Sequence, residues 1–413
     1  MTLRIGSVTG GIFVDQFGKV DLQMRCLNPL VWFLPMVTAL PFESADTNDA
    51  MEMLQTKTSK KRSSTGTVLD LEYSSYRLLL HVRIGSLPAH KLLLDTGSST
   101  VAFCNMTLPS TLPSANQTQF KACEQYGPSG PNGYFKEGYV GPFFSGSLRL
   151  QASQSELEIS KALFAVFAEG SCSPQMCLDQ PSQGIFGVAY RQRNKVYPHD
   201  EDLSSMCVKK SSTDLQILCP STKASLLPPL MQELRLTSDG SELLGIYWSG
   251  AASGNLFLGP AAVETPYYEG ENGPQTAYLL DASPGASGWY NVNVLKIKIG
   301  DIEYQGFDCI KHARACIVDT GTPVILLPYE LSDSMEALGQ TASSKMEVHL
   351  AGVSGDVVLD FDLDQLLSTG LVGIVNPPKA FWDPLMVLGL PIWAHYYTMF
   401  NLTADTVSFT YHS

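Results

Sequence analysis

The chain carries the same acidic turn twice. Leu93-Leu94-Asp95-Thr96-Gly97-Ser98 recurs as Ile317-Val318-Asp319-Thr320-Gly321-Thr322. In each copy two apolar residues lead into Asp-Thr-Gly, and a hydroxyl residue follows. A single Asp-Thr-Gly arises by accident in about one chain in ten of this length at residue frequencies of roughly 5–7%; two copies with matching flanks arise on the order of once in 10⁵ chains. Each copy is followed downstream by an apolar-apolar-Gly element, Ile185-Phe186-Gly187 and Val387-Leu388-Gly389. A repeat of two paired signals predicts two similar lobes, with the Pro/Gly-rich stretch from Gly259 to Gly288 crossing between them.

The repeat has a direct chemical reading. An apolar strand delivers an Asp to its end, Gly permits the tight turn behind it, and the Thr and Ser hydroxyls supply hydrogen bonds. If the lobes bring both turns together, the carboxyls face each other. At roughly 3 Å and an effective dielectric of ~20, two negative charges repel by about 5–6 kcal/mol, equivalent to ~4 pKa units. Such a pair holds one proton between its members over a wide pH range. One carboxylate then takes a proton from water while the other donates to the carbonyl oxygen under attack, which suits amide hydrolysis in acid.

The surrounding pattern is that of an all-β protein, with short strands between Gly, Pro, Ser and Asn turns. Strands are expected at Tyr76–Ile84, Leu92–Leu94, Ser147–Gln151, Leu163–Phe167, Leu256–Leu258 and Tyr290–Ile299. The last of these slips phase between Val294 and Leu295, as at a bulge. Helices are expected at Leu227–Leu236, with Pro228 and Pro229 in the first turn, and at Glu330–Leu338, ending before Gly339.

These features resemble the pepsin-like aspartic proteases, from about Val68 to the C-terminus. The resemblance implies an all-β bilobal fold with a cleft between two lobes related by a pseudo-twofold axis. It assigns Asp95 and Asp319 as the catalytic pair, Thr96 and Thr320 as the cross-link between their loops, and Ser98 and Thr322 as hydrogen-bond donors to the outer carboxyl oxygens; Gly97 and Gly321 complete the support. Gln183-Gly184-Ile185-Phe186-Gly187-Val188-Ala189-Tyr190 and Val387-Leu388-Gly389 with Tyr396-Tyr397-Thr398-Met399-Phe400 look like the family's two further segments. The family also implies a hairpin flap bearing a Tyr. Tyr139 is the choice, with Gly146 matching a flap glycine and Tyr126 and Tyr134 as competitors.

Departures accompany the likeness. Where most relatives hold the flap Tyr with a Trp, this chain has Ala102, as the β-secretase branch does. Phe144, in register with that branch's flap Trp, is expected to pack against the Tyr without hydrogen-bonding it. Leu390 follows the last Gly where many relatives have Asp, and the Gly141-Pro142 pair departs from the usual Gly-rich flap tip. The implied function is an aspartic endopeptidase acting on an extended peptide, as a monomer, without cofactor or metal. The rival is a secreted, non-catalytic relative whose cleft binds a peptide or an enzyme.

The N-terminus reads as an export route. Met24-Arg25-Cys26 leads into the apolar Leu27–Leu40, with a small-residue stop at Val37-Thr38-Ala39, so residues 1–39 are expected to be leader and signal peptide, starting at Met1 or Met24. Residues 40–62 end in Lys60-Lys61-Arg62 and read as a pro-segment with a processing site; Lys57, Lys60 or Lys61 are candidates to sit over the pair. The N-terminal lobe is then 63–262 and the C-terminal lobe 263–413. Of nine cysteines, Cys26 lies in the signal and eight remain. Their simplest pairing is between neighbours, 104–123, 172–177, 207–219 and 309–316, among 105 connectivities. Sequons at Asn105, Asn116 and Asn401 fit a glycoprotein of the secretory pathway, extracellular or in an acidic endolysosomal or vacuolar compartment.

Composition removes other classes. Forty acidic against 27 basic residues give −13, which argues against nucleic acid or an anionic membrane face as partner. No apolar run reaches the ~18 residues of a bilayer span. GxSxG, HExxH and GxxxxGK[ST] elements are absent, so serine hydrolase, zinc protease and P-loop chemistry have no motif.

Overall fold

Runs such as Arg77-Leu78-Leu79-Leu80-His81-Val82-Arg83-Ile84 place Leu80, Val82 and Ile84 on one face and His81 and Arg83 on the other. The three apolar side chains are fully buried, and each such burial stabilises by about 1.5–3 kcal/mol. The computed structural model describes residues 66–412 except 113, 130–134, 153–155, 168–176, 178–181, 191–193, 199–206, 210–214, 218–224, 227–229, 231–233, 235–241, 271, 281–287, 308, 310–314, 332–344 and 375–384. The expected signal, pro-segment, Tyr134, and most of both expected helices lie outside the described residues.

Nine strands lie between Thr67 and Pro198: β1 (Thr67–Ser74), β2 (Arg77–Ile84), β3 (His90–Asp95), β4 (Val101–Cys104), β5 (Ala115–Ser129), β6 (Phe135–Gln151), β7 (Glu156–Phe167), β8 (Gly184–Gly187) and β9 (Lys195–Pro198). Strand β2 pairs antiparallel with β1, β3 and β6. The long β5–β6 hairpin pairs onward to β7 and β9. The expected strands are found, except that the one placed at Tyr290–Ile299 begins only at Val294, with Asn291 making an isolated bridge to Ile317 before it. The slip at Val294 is a register shift between Val294 and Lys296, against Lys345–Leu350.

The duplicated motifs occupy equivalent places. On one side β3 runs parallel to β8, with Asp95 opposite Gly187, while β4 lies antiparallel to β8 and parallel to β7. On the other side Cys316–Val318 runs parallel to Met386–Leu388, which meets Ile325–Leu327 antiparallel; that strand lies parallel to Val372–Ile374. Each Asp therefore emerges from a strand whose parallel neighbour ends at the repeated Gly, Gly187, or just before it, at Leu388. Neither Gly has room for a side chain. A Cβ on Gly187 would lie 2.6 Å from the Thr100 nitrogen, and one on Gly389 would lie 1.9 Å from the Val324 oxygen.

A platform of antiparallel strands joins the halves. Ser253–Leu258 pairs with β1 and with Leu243–Trp248, which pairs with Tyr396–Asn401; Thr406–Tyr411 and Gln275–Tyr278 continue it. A separate four-stranded sheet, formed by Val294–Ile299, Ile302–Gln305, Lys345–Leu350 and Val357–Asp362, backs the second half. No helix among the described residues is long and apolar enough to cross a membrane.

Two disulfides are described. Cys309–Cys316 follows the neighbour rule, but Cys104 bonds Cys177, which overturns 104–123 and 172–177. Sheet topology is the reason. Cys104 ends β4, which runs parallel to β7 with Cys104 opposite Phe167, the last described residue before Cys177. Cys219 lies outside the described residues, so the 207–219 pairing is not described.

Candidate active site

The two Asp-Thr-Gly turns meet. Asp95 and Asp319 are 5% and 8% exposed, and the Oδ1 atoms of both crowd each of the two turn glycines. A methyl group placed on Gly97 would lie 2.8 Å from Asp319 Oδ1 and 3.1 Å from Asp95 Oδ1. One on Gly321 would lie 2.5 Å from Asp95 Oδ1 and 3.1 Å from Asp319 Oδ1.

Each carboxyl sits in the same shell. The Gly97 amide donates to Asp95 Oδ1 (2.8 Å) and the Ser98 hydroxyl to Asp95 Oδ2 (2.5 Å). The Gly321 amide donates to Asp319 Oδ1 (2.9 Å) and the Thr322 hydroxyl to Asp319 Oδ2 (2.6 Å). The turns are also laced to each other. Thr96 Oγ1 donates to the Val318 carbonyl (2.8 Å) and accepts from the Thr320 amide (2.9 Å). Thr320 Oγ1 donates to the Leu94 carbonyl (2.7 Å) and accepts from the Thr96 amide (3.0 Å). All eight residues of the two turns assigned from the sequence are thus brought together.

Burial, and then the neighbouring Asp319 charge, push the Asp95 carboxyl well above the usual carboxylate range; the Ser98 and Gly97 donors pull the other way. Burial penalises the charged form and a like charge adds to that penalty. The pair therefore keeps a proton far up the pH scale.

The lacing supports a stability prediction. Thr96→Val keeps the shape but leaves the buried Thr320 amide and Val318 carbonyl without this hydroxyl. At about 1–3 kcal/mol for each stranded group, the variant is expected to unfold in urea with a loss of about 2–6 kcal/mol. An unchanged urea midpoint would show that the hydroxyl carries no such load.

Tyr139 lies on β6 opposite Glu124, fully buried. It packs in one cluster with Ala102, Phe143, Ala165, Phe167 and Ile185. Phe144 is not its partner, contrary to expectation. The Phe144 ring stacks on Phe164 (6.1 Å), whereas Phe167 lies 4.2 Å from Tyr139. Alternation is the reason: Phe143, not Phe144, falls on the Tyr139 face of the strand. Gly146 pairs with Ala115, the first residue of β5. Tyr126 lies on β5 opposite Glu137. The Leu390 amide donates to the Thr322 carbonyl (2.8 Å), so the backbone at that position supports the Asp319 turn whatever its side chain.

Sequence reasoning missed Trp289. Its indole N–H donates to the Gly97 carbonyl (2.8 Å). A lone Trp beside a strand carries no motif, and only the fold brings it to the turn. Among the described residues no group of three or more His, Cys, Asp or Glu gathers to hold a metal ion.

Neither a protein-family model nor a curated protein matches the chain. Among solved structures, the aspartic proteinase from Irpex lacteus is similar with a TM-score of 0.59, covering 84% of this chain and 98% of that one at 16% identity. The fold is pepsin-like. A likeness at this identity reaches the bilobal all-β architecture and gives no support to the β-secretase branch.

Proposed function

We propose that the chain is an aspartic endopeptidase acting in acid on extended peptides. The observation that carries this reading is the matched shell around Asp95 and Asp319, with amide and hydroxyl donors on each carboxyl and both threonines laced across. In the proposed reaction a water between the carboxyls attacks the scissile carbonyl carbon. Its proton passes to the ionised member of the pair while the Asp95 carboxyl gives its proton to the carbonyl oxygen. The resulting diol collapses as the amine nitrogen takes the proton now on the second carboxyl, one diol hydroxyl returns a proton to Asp95, and the C–N bond breaks. The substrate lies as an added strand, gripped by main-chain hydrogen bonds. Tyr139, buried on β6 in the cluster that includes Ala102 and Ile185, is proposed as the flap tyrosine.

The same reading takes 1–39 as leader and signal, 40–62 as a pro-segment, and 63–262 and 263–413 as the lobes of a zymogen exported through the secretory pathway. Its support is the basic-apolar-small order of the leader, the Lys60-Lys61-Arg62 run and the disulfides. Asn116 is exposed and so accessible to a glycan. The deciding assay incubates the secreted protein with an unfolded protein substrate between pH 3 and 6. Cleavage that pepstatin blocks is the expected result; inert protein across that range overturns the proposal.

A further inference from the structure

We propose that Trp289 is a positioning residue for catalysis: its indole N–H, holding the Gly97 carbonyl, fixes the Asp95 turn against the strand that carries Asp319. The inference rests on the protease reading and deepens it. Its basis is a short segment, residues 288–292, that belongs to one half of the site and grips the other. On its own side, the Val318 amide donates to the Tyr290 carbonyl (3.0 Å) and the Val292 amide to the Cys316 carbonyl (2.9 Å). The segment is thereby fastened along the strand leading to Asp319.

Across the site three bonds run from it to the Asp95 half. The Tyr190 amide donates to the Gly288 carbonyl (3.1 Å), the Trp289 indole to the Gly97 carbonyl (2.8 Å), and the Tyr290 hydroxyl to the Val188 carbonyl (2.5 Å). The Val188 amide in turn donates to the Asp95 carbonyl (2.9 Å). Trp289 is the member that touches the turn itself. Its ring packs on Ala315, Ile317 and Val387, which holds the indole in place.

The consequence is local. The peptide that Trp289 holds links Gly97 to Ser98, and these two residues donate to the two oxygens of Asp95. Holding that peptide fixes both donors. Asp95 and Asp319 are the titratable groups facing each other there. The tyrosines on the packed segments, Tyr290 and Tyr190, are engaged with the Val188 carbonyl and with Asp405. Releasing the peptide lengthens donor bonds that favour the charged carboxyl, so the first proton of the pair is lost at higher pH.

The test uses the full chain with Trp289→Phe, which keeps an aromatic ring and removes the N–H. A second variant carries benzothienylalanine at 289, where sulfur replaces the N–H in a ring of nearly the same shape. The dyad carboxyl carbons are followed by ¹³C NMR, identified by their loss in Asp95→Asn and Asp319→Asn. The lower titration step is expected to rise by about half a unit to one unit, and kcat to fall about 5- to 10-fold with KM within about 2-fold. Loss of packing alone does not move the titration in the sulfur variant. Wild-type titration and kcat in that variant overturn the inference. If the wild type cleaves no peptide, the protease reading fails by itself, and the titration still decides whether Trp289 positions the turn.

Discussion

Asp95→Asn and Asp319→Asn are each expected to lower kcat for peptide cleavage by about 10³- to 10⁴-fold, the scale of losing a positioned acid–base group. Asn keeps the size of Asp and can still engage the turn amides and hydroxyls, so the fold is retained. What disappears is the proton traffic. With one Asn in place, the pair can no longer hold one proton and one charge at once, and either the donor or the acceptor role is empty. Single-turnover cleavage of a labelled peptide measures it, and activity within 10-fold of wild type in either variant would remove the dyad from the mechanism.

Asp95→Asn has a second expected signature, in stability. The folded-state pKa of Asp95 is raised, chiefly by burial and then by Asp319. In the unfolded chain it ionises near the usual value of about 4. Above that pH the unfolded state sheds a proton that the folded state retains, so wild-type stability falls as pH rises toward the folded pKa. Asn has no proton to shed. Relative to wild type, the variant's urea midpoint is therefore expected to gain more at pH 7 than at pH 4. An equal difference at both pH values would mean that Asp95 is not held protonated by its surroundings. Lost activity with gained neutral stability is the behaviour of a site whose proton is kept at a cost to the fold.

How much of this was visible in the chain follows from how local each feature is. The Asp turns were legible because six contiguous residues carry the carboxyl, its amide donor and its hydroxyl donor together. The lacing was legible only in part: Thr96 and Thr320 stand in the motif, but their acceptors, the Val318 and Leu94 carbonyls, are backbone atoms that side-chain spelling does not mark. The Cys104–Cys177 bond depended on β4 running parallel to β7, a long-range pairing to which neighbour spacing is blind. Phe167 as the ring beside Tyr139 depended on the register of β6 against β7, in which Phe143 lies opposite Ala165. Trp289 required both halves to be assembled.

The glycines of the two turns give the last large effect. Gly97→Ala and Gly321→Ala are each expected to lower kcat/KM by about 10²-fold, the scale of misplacing reacting groups by about 1 Å. Neither glycine has a positive φ, so alanine meets no backbone strain there. The obstacle is the dyad. An alanine methyl at 321 would lie 2.5 Å from Asp95 Oδ1, and at 97 it would lie 2.8 Å from Asp319 Oδ1, both inside ordinary contact. Because each turn crowds the opposite carboxyl, each variant pushes the carboxyls apart across the site. Relief by backbone movement strains the threonine lacing, so a stability loss of about 1–3 kcal/mol is expected as well. Gly373→Ala is the control, since its methyl meets only the end of the Leu326 side chain at 3.3 Å. Steady-state cleavage with urea unfolding on the same samples separates the two effects. Near-wild-type kcat/KM in both dyad-turn variants would mean that the carboxyls tolerate separation, which a shared proton does not allow.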